Sequence, residues 1–207
     1  MTEDEARDWV EQQFGGDAVA RLAAYGAILV AENDRQNLIS PMTVPTLWPR
    51  HIVDSAQLLQ LAPADWQHWA DIGAGAGLPG LVVAILEPQR QVTLIEPRRL
   101  RVEFLKRCAD EFALANVVVV QAKAERVRIS HADVVSARAV APLDVLLSAS
   151  TAAGFGDVST TYLFPKGASA NSEVDVASVA WQGAFHVEQS IVDPESGIVV
   201  AKGVARR

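Results

Sequence analysis

The spacing of apolar positions changes at about residue 65. Before that point the period is helical. Thr2-Glu3-Asp4-Glu5 has the form of a capping box, with Glu three residues after Thr, and predicts a helix to about Phe14. Gly15-Gly16 breaks it. A second helix is predicted over 17–34, with Leu22, Tyr25, Ile28 and Leu29 on one face. Asn37-Leu38-Ile39-Ser40-Pro41 reads as a turn. A third helix, over 44–61, carries Trp48, Arg50, His51, Asp54 and Ser55. Residues 1–64 hold no strand signal and read as a helical extension that caps or covers a second unit, residues 65–207.

From Trp66 onward, short apolar runs alternate with amphipathic stretches. Strands are predicted just before Asp71 and over 92–96, 117–121, 133–136 and 162–164. Helices fall between them, over 81–86, 98–114 and 143–152, with one more over 172–179 after Lys166-Gly167. The all-valine run from Val117 to Val120 reads as a strand buried on both faces. Two late strands, over 185–192 and 198–202, flank Asp193-Pro194-Glu195-Ser196-Gly197 and predict an antiparallel hairpin at the sheet edge. The alternation specifies an α/β fold, Rossmann-like, with a mostly parallel sheet. Such sheets bind ligands beyond the carboxyl ends of their strands.

The first strand meets its helix through Asp71-Ile72-Gly73-Ala74-Gly75-Ala76-Gly77-Leu78-Pro79-Gly80. Glycines accept positive φ and let a ligand approach the backbone. The helix start offers N–H groups to that ligand. Gly75 to Gly80 spells G-x-G-x-x-G, so a dinucleotide and an oxidoreductase are one reading. The acid at the strand tip favours another. Asp71 would repel a pyrophosphate and attract the amino group and sulfonium of S-adenosylmethionine (SAM). Glu96 ends the next strand, 25 residues after Asp71, where an acid grips ribose hydroxyls. The turn glycines Gly73, Gly75 and Gly77, with Asp71 and Glu96, are therefore the candidate cofactor site.

Length and composition narrow the rest. The chain has 207 residues, half of them apolar, enough for one sizeable core. Its single cysteine, Cys108, excludes a disulfide framework or a CxxC metal site, and no metal is expected. The acidic start, the lack of a long apolar run and the lone cysteine lead us to expect a cytoplasmic protein that does not enter the membrane. The net charge of −7 argues against a nucleic-acid partner. Its distribution argues back. Residues 1–17 hold six acids and one base, whereas 98–107 hold Arg98, Arg99, Arg101, Lys106 and Arg107 against Glu103 alone. A local basic face on an acidic protein suits RNA.

These pieces together resemble the RsmG (GidB) family of small-subunit rRNA methyltransferases. The resemblance covers roughly residues 35–170. It rests on Asn37-Leu38, Arg50-His51-Ile52-Val53-Asp54-Ser55, Asp71 through Gly80, and Glu96 followed by Arg101 and Phe104-Leu105. It continues through Ala124-Glu125, Ser136-Ala137-Arg138-Ala139-Val140-Ala141 and Lys166-Gly167. The resemblance implies a class I SAM-dependent methyltransferase with an N-terminal helical extension, acting on guanine N7 in the 530 loop of 16S rRNA. It implies SAM contacts at Gly73, Leu78, Ala124, Glu125 and Arg138. The family often has Lys-Arg after the second strand; this chain has Leu100-Arg101, with Arg98 and Arg99 nearby.

The chemistry agrees. Guanine N7 carries a free lone pair, and its attack on a sulfonium methyl needs no general base. Carbon-5 methylation of a pyrimidine would need a nucleophilic cysteine, and Cys108 sits among apolar residues of a helix. Exocyclic-amine methylation commonly uses an Asn/Asp-Pro-Pro-aromatic clamp, which Ser136-Ala137-Arg138-Ala139 lacks. Arg138 and Lys166, each at the end of a strand, are the candidate catalytic residues. Arg50, His51, Arg98, Arg99 and Arg101 are the candidate contacts to 16S rRNA or the 30S subunit. Arg50 and Asp54, four residues apart, allow the plainer reading of a helix-surface ion pair, and His51 that of a hydrogen bond within the cap. A SAM-dependent enzyme for a small molecule or protein is the alternative substrate class, and an RNA-binding module without cofactor a further one. We expect a monomer.

Overall fold

The computed structural model describes residues 1–207. The capping box forms: the Thr2 hydroxyl accepts from Glu5 N–H while the Glu5 carboxylate accepts from Thr2 N–H, and α1 spans Glu3–Phe14. Gly15, at φ +85, ends it, and α2 runs over Gly16–Gln36. Asn37 closes α2 in the left-handed conformation.

The expected single helix over 44–61 is instead a chain of different turns. They are 3₁₀ over Pro41–Thr46, π-helical over Trp48–Val53, one α turn, α3, over Asp54–Ala56, and 3₁₀ over Gln57–Gln60. Pro45 and Pro49 have no N–H to give, so a regular i→i−4 ladder cannot hold here.

The rest is a seven-stranded sheet in the order β3-β2-β1-β4-β5-β7-β6. The strands are β1 His68–Ile72, β2 Gln91–Ile95, β3 Val117–Val120, β4 Val134–Ala137, β5 Thr161–Gly167, β6 Trp181–Gln189 and β7 Gly197–Arg206. The first five are parallel; β7 runs antiparallel to β5, and β6 to β7, which is the expected hairpin. β3 corrects the reading of its valines. It is an edge strand, with one neighbour, β2, and Val118 is 44% exposed.

Side-chain alternation sends Trp69, Leu94, Val134 and Leu163 to one face and Ala70, Ile95, Val135 and Phe164 to the other. The first face packs on α4 (Gly80–Leu86), α5 (Arg99–Glu111) and the helical extension, in one continuous core. The second packs on α6 (Leu143–Ala153) and α7 (Ala170–Ala180). Cys108 is wholly buried in the first core, and burial pushes its thiol up to about 12. No helix is long and apolar enough to cross a membrane.

Candidate active site

β1 ends at Ile72, and Gly73 turns the chain with φ +66. A Cβ on Gly73 would lie 2.6 Å from Val140 Cγ2, so both dihedral and space require glycine. The N–H groups of Gly73 and Ala74 donate to the Ile95 carbonyl at 2.8 and 3.1 Å, tying the turn to β2. Glu96, buried at the tip of β2, accepts from Gly75 N–H at 3.0 Å and from Arg98 N–H at 2.9 Å. One carboxylate thus spans the ends of β1 and β2.

Asp71 lies behind this turn rather than at its mouth. It is fully buried and does not line the cavity, which corrects the expected contact with a cofactor. Its Oδ2 accepts from Gly80 N–H at 3.0 Å, and its Oδ1 accepts the Ser136 hydroxyl at 2.7 Å. The Trp69 indole donates to that same hydroxyl at 2.8 Å. Burial pushes the Asp71 carboxyl up to about 7, against the lowering effect of Ser136 and Gly80. The carboxylates thus consume two N–H groups, those of Gly75 and Gly80, that a dinucleotide pyrophosphate would need.

Beyond the strand ends lies a cavity of about 980 Å³. Gly73, Ala74, Gly75, Ala76, Leu78 and Glu96 form one part of its lining. Arg98 and Arg101 border it from the start of α5, while 138–142 and 165–167 enter from the ends of β4 and β5. The helical extension adds Arg50, His51 and Asp54, and the β6–β7 turn adds Asp193 and its neighbours. Arg50, Arg98, Arg101, Arg138 and Lys166 face Asp54, Glu96, Glu173 and Asp193 there. The lining thus carries one basic side chain in excess on a chain whose net charge is −7, and among the five only Arg98 has no acidic partner.

Arg138 follows β4 and lines this cavity, and its partners come from the helical extension. Its NH1 donates to the Arg50 carbonyl at 3.1 Å and to Asp54 Oδ2 at 3.2 Å, and NH2 meets His51 Nδ1 at 3.1 Å. The predicted Arg50–Asp54 pair does not form. Arg50 reaches Asp193 at 2.9 Å instead, across the cavity rim. His51 is buried with both ring nitrogens engaged, so it has none free for an RNA phosphate, which corrects that expectation. Burial, then Arg138 and Arg50, push His51 down to about 3, so it is neutral. Lys166 donates to the Ala141 carbonyl and pairs with Glu173 at 2.9 Å.

Other expected residues stand apart. Gly77 lies under the turn, where a Cβ would strike Leu81. Arg99 is exposed, bridges to Glu103 at 2.5 Å on its own helix, and does not line the cavity. Ala124 and Glu125 do not line it either: Ala124 is packed in the second core and Glu125 faces solvent. Their 3₁₀ turn, Ala124–Arg126, packs against α6 instead.

Sequence reasoning missed Tyr25, whose hydroxyl donates to the Ala76 carbonyl at 2.7 Å and ties α2 to the glycine turn. Its only signal was a polar tip on a helix face otherwise apolar. It also missed Gln57, which is buried, donates to Ser190 Oγ and accepts from Ile191 N–H, fastening the β6–β7 turn to the helical extension.

The strand order, the antiparallel last hairpin and the glycine turn with its buried acids define the class of SAM-dependent methyltransferases of the Rossmann-like type. A SAM-dependent methyltransferase from Aquifex aeolicus shares the fold, with a TM-score of 0.60 at 12% identity, over 76% of this chain and 92% of that one. The chain belongs to the GidB family, described as rRNA small subunit methyltransferase G, whose model matches residues 18–197. A ribosomal RNA small subunit methyltransferase G from Novosphingobium aromaticivorans is 44% identical over 209 residues, covering 99% of this chain and 90% of the relative. One from Sphingopyxis alaskensis is 47% identical over 201 residues, covering 96% and 85%.

Proposed function

We propose that this chain, acting as a monomer in the cytoplasm, transfers a methyl group from SAM to N7 of a guanine in the 530 loop of 16S rRNA. The observation that carries the reading is the cavity itself. It joins a glycine turn and a buried ribose-type acid, Glu96, to a rim of arginines. Family membership favours this over a small-molecule or protein substrate. Carboxylates on Gly75 and Gly80 N–H favour it over a dinucleotide oxidoreductase.

The residues present fit SAM. Gly73 and Gly75 leave the cavity floor without side chains, and Glu96 lies beside them. SAM supplies the activated methyl group on its sulfonium. The chain has to hold the guanine in line with that methyl and keep water away. Alignment of this kind is worth up to about 7–11 kcal/mol of barrier. Arg138 keeps two N–H groups for a ligand after meeting its three protein acceptors, and guanine O6, beside N7, accepts from such a fork. Lys166, at the end of the neighbouring strand β5, is held by Ala141 and Glu173. Arg50, Arg98 and Arg101 offer charge to the flanking phosphates.

The test is to incubate the protein with methyl-labelled SAM and either naked 16S rRNA or 30S subunits, then map label in nuclease digests. One N7-methylguanine in the 530 loop is the expected result. Label at an exocyclic amine or a carbon overturns the assignment. So does calorimetry showing saturable binding of NAD and none of SAM.

A further inference from the structure

Arg138 is held by three acceptors, and one of them is unusual. Arg50 O and Asp54 Oδ2 are a carbonyl and a carboxylate, and either serves an arginine well. His51 Nδ1 serves only in one tautomer. A guanidinium has donors and no acceptor, so the ring nitrogen 3.1 Å from NH2 must present a lone pair. The proton then sits on Nε2, which donates to Thr43 Oγ1 at 2.8 Å. The Thr43 hydroxyl in turn donates to the Ser40 carbonyl at 2.8 Å. Every donor in the series Arg138, His51, Thr43, Ser40 points the same way, and such chains strengthen one another.

We propose that His51, locked by Thr43 as the Nε2–H tautomer, is a positioning residue that orients Arg138 toward the target base. The inference rests on Arg138 serving methyl transfer, as argued above. Two further observations support it. The ring is buried with both nitrogens occupied, so it acts through Arg138 rather than on RNA. Ala139, next to Arg138, has φ +55, a strained value for a residue with a Cβ, so this short loop is held by its contacts. Fixing NH1 twice and NH2 once leaves Nε–H and one N–H of NH2 without a protein acceptor, in a side chain that lines the cavity.

Two substitutions separate an acceptor role from mere packing. In H51N the amide oxygen falls near the place of Nδ1 and still accepts from Arg138. In H51Q the amide reaches the place of Nε2, and the acceptor for Arg138 is lost. With saturating SAM and rRNA substrate, H51N is expected to keep kcat within about threefold of wild type and H51Q to lose about tenfold or more. In an R138A background, H51Q should add nothing. Equal losses in H51N and H51Q, full activity in both, or additivity with R138A overturns the inference. Should H51Q fail to fold, nitrogen-15 NMR of the wild-type histidines decides. An Nε2–H ring at His51 supports the assignment, and an Nδ1–H or cationic ring overturns it. A wild-type protein without methyl transfer to rRNA fails the functional reading instead, and the same assay shows which has failed.

Discussion

Asp71 and Arg138 are buried or half-buried charges with opposite tasks. Asp71 holds Gly80 N–H and the Ser136 hydroxyl, so Asp71→Ala orphans a buried N–H and should cost about 1–3 kcal/mol of stability, measurable by denaturant unfolding. Its carboxyl lies at about 7 in the folded chain, above the ordinary 3.8 of the unfolded one. The stability tied to this rise is present in full below pH about 4 and is lost as pH rises through about 7. Asp71→Asn keeps an acceptor and removes the titration. Its thermal midpoint should fall less between pH 4 and 8 than that of wild type. Arg138 meets three acceptors at fixed angles, and a lysine ammonium cannot match that planar fork. Arg138→Lys should fold normally and lose tenfold or more of turnover, on the order of one charged hydrogen bond. Full turnover in that variant would make it a structural arginine.

At the scale of elements, the site is a set of strand ends tied to one another. The β1 turn depends on close approach. A Cβ on Gly80 would overlap Leu94 and lie 2.8 Å from Asp71 Oδ2. Gly80→Ala should therefore destabilise by about 1–3 kcal/mol and weaken SAM binding, which calorimetry on the folded fraction will read. On the far wall, the β6–β7 turn is fastened to the helical extension by Gln57 and by the Arg50–Asp193 pair. The two ties differ in depth: Gln57 is buried, whereas Arg50 is exposed and screened by solvent. Gln57→Ala is expected to cost about 1–2 kcal/mol and to speed hydrogen exchange at Ile191. Arg50→Ala, which removes the exposed pair and leaves the Asp193 turn bonds to Glu195 and Ser196 intact, should leave the unfolding midpoint nearly unchanged.

Over the whole molecule the charge is uneven, acidic in sum, with one basic side chain in excess around one cavity. Arg98 lines that cavity, while Arg99 is engaged with Glu103 outside it. Reversing Arg98 to Glu should weaken rRNA binding and reduce the salt slope by about 0.7 per lost phosphate contact, and reversing Arg99 should do so less. SAM affinity should hold in both. Equal, unaltered slopes would assign this helix face to solvent alone.

What the sequence by itself determined was most of what depends on local spacing, the irregular turns over 41–60 excepted. The capping box, the break at Gly15, the alternation of strand and helix and the late hairpin were legible because each is written within a few consecutive residues. The glycine turn and Glu96 were legible because strand ends in such a sheet lie together. Tertiary structure decided the partners. Nothing local tells that Arg50 meets Asp193, 143 residues on, or that Arg138 takes Asp54 and His51. The all-valine β3 looked central and lies at an edge, because burial is set by strand order, which composition does not encode. Asp71 looked like a ligand contact and supports the turn from behind, because only folding places Ser136 and Gly80 around it. Local physics selects elements through short-range sterics and periodicity; long-range pairing depends on which faces pack, and that is a property of the assembled core.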